Sequence, residues 1–131
     1  MLDHIGINVS DPEKSRIFYD QALAPLGYKM LMEVPKEYVE GTVVLGYGIP
    51  PKPDFWISNE SGPNRPPLHI CFRAENRKQV DDFYKAAIKA GGKDNGKAGL
   101  RPEYHANYYG AFVLDPDGHN IEAVYHGPST L

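Results

Sequence analysis

The chain has 131 residues, of which 41% are hydrophobic and 24% charged, and its formal net charge is −3. This length and composition are typical of one globular domain with its own core. The negative net charge argues against nucleic-acid binding, and no stretch reaches the roughly 18 apolar residues of a membrane span. The N-terminus lacks a basic segment followed by an apolar one, and the single cysteine, Cys71, permits no internal disulfide. We therefore expect a cytoplasmic protein.

The sequence repeats itself with an offset of 65 residues. His4-Ile5 recurs as His69-Ile70, and Phe18-Tyr19 recurs as Phe83-Tyr84. Gly27 and Gly92 follow at the same offset. Because order, spacing and residue type are all kept, the chain is predicted to contain two copies of one structural unit.

Each copy begins with a strand and a helix. Residues 4–9 alternate between apolar and polar or small side chains, which predicts a strand. A helix is predicted over about 12–23, with Ser10 and Glu13 at the spacing of a capping box. In the second copy, residues 69–73 predict the strand and residues 77–90 predict a helix with one apolar stripe.

Each copy is predicted to have the order βαβββ, and composition locates two of the three strands that follow the helix. In the first copy, residues 42–47 and 55–58 have strand-like composition, as residues 108–114 and 120–125 have in the second. Asp115 to Gly118 predict a tight turn between the last two strands. The predicted fold is therefore α+β, with two tandem βαβββ modules forming a curved, cup-shaped mixed sheet and helices on its outer face.

The repeat also predicts the domain organisation. We expect a single domain over residues 1–131, with a first module at about 1–61 and a second at about 68–131. A proline-rich linker is predicted between them at about 62–67.

Two histidines and one glutamate are candidate metal ligands. Strand alternation places His4 and His69 on the face opposite the apolar residues, at equivalent positions of the two modules. Glu122 lies in an apolar strand, where a carboxylate without a partner is costly. A lone histidine on a strand is usually structural, but the repeat and the glutamate favour a two-histidine, one-carboxylate site. Such a site holds one divalent metal per chain, and Zn, Mn, Ni and Fe all suit it.

Other polar and aromatic residues are predicted around the cup. Arg73 and Arg101 are candidates for holding an anionic group of a small-molecule substrate. The remaining candidates for substrate contact are Trp56, Tyr47, Tyr104 and Tyr108. The catalytic residue is not identified by the sequence, and His105 and Tyr109 are its candidates. His119, in the predicted turn, is expected to be exposed, and Cys71 is expected to pack rather than bind metal.

These motifs resemble those of the vicinal oxygen chelate superfamily, which includes glyoxalase I, extradiol dioxygenases and bleomycin-resistance proteins. The resemblance rests on His4 to Val9, on His69 to Phe72 and above all on Asp115 to Glu122. It implies paired βαβββ modules, a metal site of His4, His69 and Glu122, and a homodimer.

The chain departs from the family at two positions. Glyoxalase I has a fourth ligand, a glutamate on the last strand of the first module. The 65-residue offset places Ile57 there, beside Trp56, and neither binds metal. The ring-cleaving enzymes have a tyrosine about ten residues before the glutamate, and Phe112 occupies that position. His105, Tyr108 and Tyr109 are nearby substitutes.

Three functions are compatible with the resemblance. The first expectation is a metal-dependent enzyme with glyoxalase-like lyase or isomerase chemistry, in which the metal is a Lewis acid. The second is a ring-cleavage dioxygenase that uses Fe(II), which the three-ligand set favours. The third, from a different class, is a metal-free protein that binds a drug or another ligand, as bleomycin-resistance proteins do.

Overall fold

The computed structural model describes residues 1–128, so the last three residues of the predicted second module lie outside it. The first module contains β1 (Ile5–Asn8), α1 (Pro12–Ala22), β2 (Lys29–Glu33), β3 (Val44–Gly48) and β4 (Phe55–Ser58). The second contains β5 (His69–Arg73), α2 (Arg77–Lys89), β6 (Lys93–Leu100), β7 (Tyr109–Leu114) and β8 (Asn120–Tyr125). The predicted α+β fold with two βαβββ modules is confirmed. Neither α-helix is long and apolar enough to cross a membrane.

Each module forms its own four-stranded mixed sheet. The strand orders are β1-β4-β3-β2 and β5-β8-β7-β6, with the first strand of each module parallel to its last. Buried side chains on one face of both sheets pack against α1 and α2, which also contact each other. The other face is therefore left for a site. Strands β1 and β5 are edge strands of their sheets in the described chain.

The register of the strands corrects the alignment of the two modules. In the first module Gly6 pairs with Trp56, and in the second Cys71 pairs with Glu122. The last strands are therefore offset by 66 residues rather than 65. Trp56, and not Ile57, occupies the position equivalent to Glu122, because the second module gains one residue between its first and last strands.

The start of α1 also differs from the prediction. Asp11 is the N-cap, and its carboxylate accepts hydrogen bonds from the backbone N–H groups of Glu13 and Lys14 at 3.0 and 3.2 Å. Ser10 lies outside the helix, and its N–H instead donates to Asp117 of the second module. A carboxylate at the N-cap is favourable because it also faces the positive end of the helix dipole.

A buried carboxylate organises the turn between β7 and β8. Asp115 accepts a hydrogen bond from the Tyr19 hydroxyl of α1 at 2.6 Å. Its other oxygen accepts the backbone N–H groups of Asp117 and His119 at 2.9 and 2.8 Å. The turn is therefore bonded both to itself and to the first module.

His119 is fully buried, so the expectation that it is exposed is wrong. Its Nδ1 accepts the backbone N–H of Leu68 at 2.9 Å. Its Nε2 lies 3.1 Å from the carbonyl oxygen of Asn8 and therefore carries the proton. A turn residue is usually solvated, but this imidazole satisfies two backbone groups where β1 of one module meets the entry to β5 of the other.

We predict that His119→Ala lowers the free energy of unfolding by about 3 kcal/mol or more, because it removes two buried hydrogen bonds and leaves a cavity. Urea denaturation followed by circular dichroism measures the change. The exposed His105→Ala is the matched control, with an expected loss below about 1 kcal/mol. Equal denaturation midpoints for His119→Ala and wild type would contradict the structural role.

Candidate functional site

A cleft of about 350 Å³ lies between the start of the first module and β5 of the second. The two histidines predicted as metal ligands, His4 and His69, line it together with Cys71 and Arg73. Its apolar walls include Tyr28, Phe55 and Phe72. The cleft therefore combines two imidazoles, one cation and aromatic surface in one place.

Glu122 and His69 meet directly in this region. The Glu122 Oε1 lies 2.8 Å from the His69 Nε2, although Glu122 is 2% exposed and His69 is half-exposed. Their strands β8 and β5 are paired, and Phe112 of β7 is the register partner of Glu122 on its other side. A buried carboxylate is thus presented to an imidazole that opens to solvent.

Tyr108 holds the second oxygen of this carboxylate. Its hydroxyl donates a hydrogen bond to Glu122 Oε2. Restricted solvation and the Glu122 carboxylate raise the pKa of Tyr108 well above its usual range, so it remains a donor at neutral pH. Tyr108 was a candidate for substrate contact; its observed contact is instead with a predicted metal ligand.

Two histidines support the Tyr108 ring. His105 Nδ1 accepts the backbone N–H of Asn107 at 3.2 Å, which places the proton of a neutral His105 on Nε2. That nitrogen lies 2.9 Å from Nδ1 of His126, and both imidazoles pack edge-on against Tyr108. The exposed Tyr104 contacts the Tyr108 ring with centroids 4.8 Å apart.

His4 lies on the same cleft and is preorganised by a carboxylate. Its Nδ1 is 2.7 Å from Asp3 Oδ1, and Lys52 Nζ binds the other oxygen of Asp3 at 2.8 Å. Because a carboxylate only accepts, Nδ1 carries a proton, and in the neutral imidazole Nε2 keeps its lone pair. A histidine that binds metal through one nitrogen commonly donates from the other in this way.

Within residues 1–128, one group of three side chains has its possible metal-ligand atoms within 4.8 Å of one another. This group is not the predicted set of His4, His69 and Glu122. It consists of Asp115, Asp117 and His119, a spacing that could hold a metal ion. However, both nitrogens of His119 and both oxygens of Asp115 already have partners. His4 is therefore not gathered with His69 and Glu122 at that spacing, although it lines their cleft.

Two predicted site tyrosines point away from the cleft. Tyr47 is fully buried and donates to Asp20 of α1 at 3.0 Å, so it belongs to the core. Tyr109 donates to Asp81 of α2 at 2.6 Å, and restricted solvation and this bond raise its pKa to about 12. Strand alternation explains both positions, because each side chain faces the helix layer.

The predicted arginines differ in availability. Arg101 donates to the carbonyl oxygens of Gly99 and Lys97 at 2.9 and 2.6 Å and lies over the Phe112 ring. Its role is therefore to brace the irregular strand β6. Arg73 lines the cleft and, within residues 1–128, makes no ion pair, so it is available to an anion.

Trp56 is half-buried and packs over Gly46 on the adjacent strand. A Cβ at Gly46 would lie 2.8 Å from the indole ring, so glycine is required beneath it. The register of Trp56 with Gly6 places it on the face that carries Glu122 in the other module.

Cys71 is exposed at the cleft, yet its thiol is weakly acidic. Surrounding protein atoms and the Glu122 carboxylate raise the pKa of Cys71 above its usual range. We predict that iodoacetamide at pH 8 alkylates Cys71 at least about tenfold more slowly than it alkylates the urea-unfolded chain, because the thiolate is the nucleophile. Mass spectrometry of timed samples measures both rates.

Glu122→Gln removes the neighbouring charge and should accelerate this alkylation, whereas Asp82→Asn, on the exposed side of α2, should not. Equal rates for the folded and unfolded wild type would contradict this environment for the thiol.

Residues 1–123 match the family described as the glyoxalase/bleomycin resistance protein/dioxygenase superfamily. No curated protein matches the chain. Among solved structures, a glyoxalase/bleomycin resistance protein from Albidiferax ferrireducens is 24% identical, with a TM-score of 0.71 over 95% of this chain and 98% of that one.

Two glyoxalase I structures have the same fold. The trypanothione-dependent enzyme of Leishmania major is 22% identical, with a TM-score of 0.62 over 96% of this chain and 86% of that one. The enzyme of Zea mays is 18% identical, with a TM-score of 0.67 over 98% of this chain and 45% of that one. At these identities the likeness concerns the fold.

Proposed function

Because the chain belongs to the glyoxalase/bleomycin resistance protein/dioxygenase superfamily, we propose that it is a divalent-metal-dependent enzyme acting on a small molecule. The observation that carries the proposal is the 2.8 Å contact between the buried Glu122 Oε1 and Nε2 of His69, a histidine that lines the same cleft as His4. A histidine and a carboxylate in direct contact are suited to share one cation.

The chemistry of the donor set fits a divalent metal. Nε2 of His4 has no hydrogen-bond partner within residues 1–128, and Nδ1 is held by Asp3. Glu122 supplies the charge, and Tyr108 fixes its orientation from the side away from His69. His4, His69 and Glu122 would hold the ion, which Zn, Mn, Ni or Fe could provide.

When bound, the metal supplies Lewis-acid polarisation of a substrate oxygen. The side chains of the cleft would bind the substrate. Arg73 would hold an anionic group of the substrate, and the aromatic walls would exclude water from its apolar part. On this basis we propose glyoxalase-like lyase or isomerase chemistry, with the proton-transferring residue still to be assigned.

A specific observation favours a second candidate, Fe(II)-dependent ring cleavage. Trp56 occupies the position equivalent to Glu122, where a second carboxylate would be the fourth ligand. Without it, the proposed set consists of two imidazoles and one carboxylate. This combination with open positions is typical of non-haem iron oxygenases. The identity of the bound metal distinguishes the two chemistries.

We further propose that the protein is a cytoplasmic homodimer. The edge strands β1 and β5 begin beside His4 and His69, so a second copy could bring these ligands together across the subunits. Mixing His4→Ala with Glu122→Ala chains tests this. Recovery of metal sites supports sharing between chains, and no recovery indicates sites within one chain.

We predict about one divalent ion per wild-type chain and a loss of metal in His69→Ala and Glu122→Ala, because each removes a ligand of a small set. Elemental mass spectrometry after equilibration with Zn²⁺, Mn²⁺ and Fe²⁺ measures the load.

Asp117→Ala is the matched control, since it removes an oxygen from the Asp115, Asp117 and His119 group. A loss confined to Asp117→Ala would assign the metal to that group. A zero load in the wild type would favour a metal-free binding protein.

Tyr108→Phe tests the positioning of Glu122. It should weaken metal affinity about 10- to 100-fold, the usual effect of losing a hydrogen bond to a ligand. Competition with a fluorescent chelator measures the affinity. Tyr104→Phe keeps the edge-on contact with the Tyr108 ring and should leave the metal affinity unchanged. An unaltered affinity in Tyr108→Phe would remove Tyr108 from the site.

A further inference from the structure

A second cavity, the outer pocket, lies between the two modules and shares no lining residue with the cleft. It has a volume of about 410 Å³. Lys14 and Ile17 of α1 form one side, Lys93 forms another, and Leu114, Asp115 and Pro116 form the base. Its size falls within the range of small-molecule sites in proteins.

The outer pocket presents uncovered apolar surface. Ile17 is 55% exposed, although it belongs to a helix whose other apolar residues are buried. Leu114 and Pro116 contribute further apolar atoms to the lining. Covering such a surface with an apolar group is favourable in proportion to the area removed from water.

The charges around this surface are unbalanced. Lys14 and Lys93 come from different modules, and neither side chain forms an ion pair or hydrogen bond with residues 1–128. The acidic group that lines the pocket, Asp115, is buried and bonded to Tyr19 and to two backbone N–H groups. The two ammonium groups of the lining therefore have no ion-pair partner among residues 1–128, and the one carboxylate of the lining is already bonded.

We propose that the outer pocket binds a small amphiphilic anion, with a carboxylate between Lys14 and Lys93 and a short apolar chain against Ile17 and Leu114. An inorganic anion would leave the apolar walls in water. A neutral or cationic chain would leave the lysines uncompensated. Only the combined ligand satisfies both features, and this inference does not depend on the metal site.

Calorimetric titration of the full chain with octanoate, octylammonium and inorganic phosphate tests the proposal. We expect one octanoate per chain, with octylammonium and phosphate binding at least about tenfold more weakly. The double variant Lys14→Gln/Lys93→Gln should weaken octanoate binding about tenfold, the combined effect of two partly exposed ion pairs. Ile17→Ser should weaken it as well, by removing apolar contact.

Two variants serve as matched controls. Lys29→Gln/Lys89→Gln removes two exposed lysines elsewhere and should leave octanoate binding unchanged, as should Arg73→Gln in the cleft. The proposal is overturned if Lys14→Gln/Lys93→Gln binds octanoate like the wild type, or if Arg73→Gln abolishes binding. It is also overturned if octylammonium binds equally well, or if octanoate shows no binding up to about 10 mM.

Discussion

Two buried carboxylates on the β7–β8 hairpin determine how this protein is built and where it can act. Burying a carboxylate is costly unless donors surround it. Asp115 meets this requirement with the Tyr19 hydroxyl and two backbone N–H groups, so its charge is used to fix the turn and join the modules. Glu122 has only side-chain partners, His69 and Tyr108, and His69 lines an open cleft. The first carboxylate is structural, and the second is the one to which our proposal assigns the metal.

The same contrast separates the histidines. His119 satisfies two backbone groups with its two nitrogens and has none left for a metal. His4 binds Asp3 with one nitrogen and keeps the other free at the cleft. Residue type alone would not separate these histidines. The hydrogen-bond partners therefore assign His119 a structural role, whereas those of His4 are compatible with the proposed one.

Much of the fold could be predicted because each module repeats strong local patterns. The apolar stripe of α2 and the alternation in β8 are direct consequences of burying one face. Strands β2 and β6 were not located from the sequence, since both lie at sheet edges with few buried residues. The buried position of His119 was missed because its partners are distant backbone groups. Tyr47 and Tyr109 were assigned to the wrong face, since a tyrosine suits both a wet rim and a core with a hydrogen-bond partner.

Position 56 carries a tryptophan where a four-ligand site would have a carboxylate. This tryptophan is part of the packing between β3 and β4. The indole covers Gly46, where any Cβ would clash, so the two residues depend on each other. Replacing Trp56 with glutamate would leave empty space above that glycine. A fourth ligand would therefore require a larger residue at position 46 and a repacked first module. The absence of a carboxylate at position 56 is thus tied to the packing of Trp56 over Gly46 on the neighbouring strand.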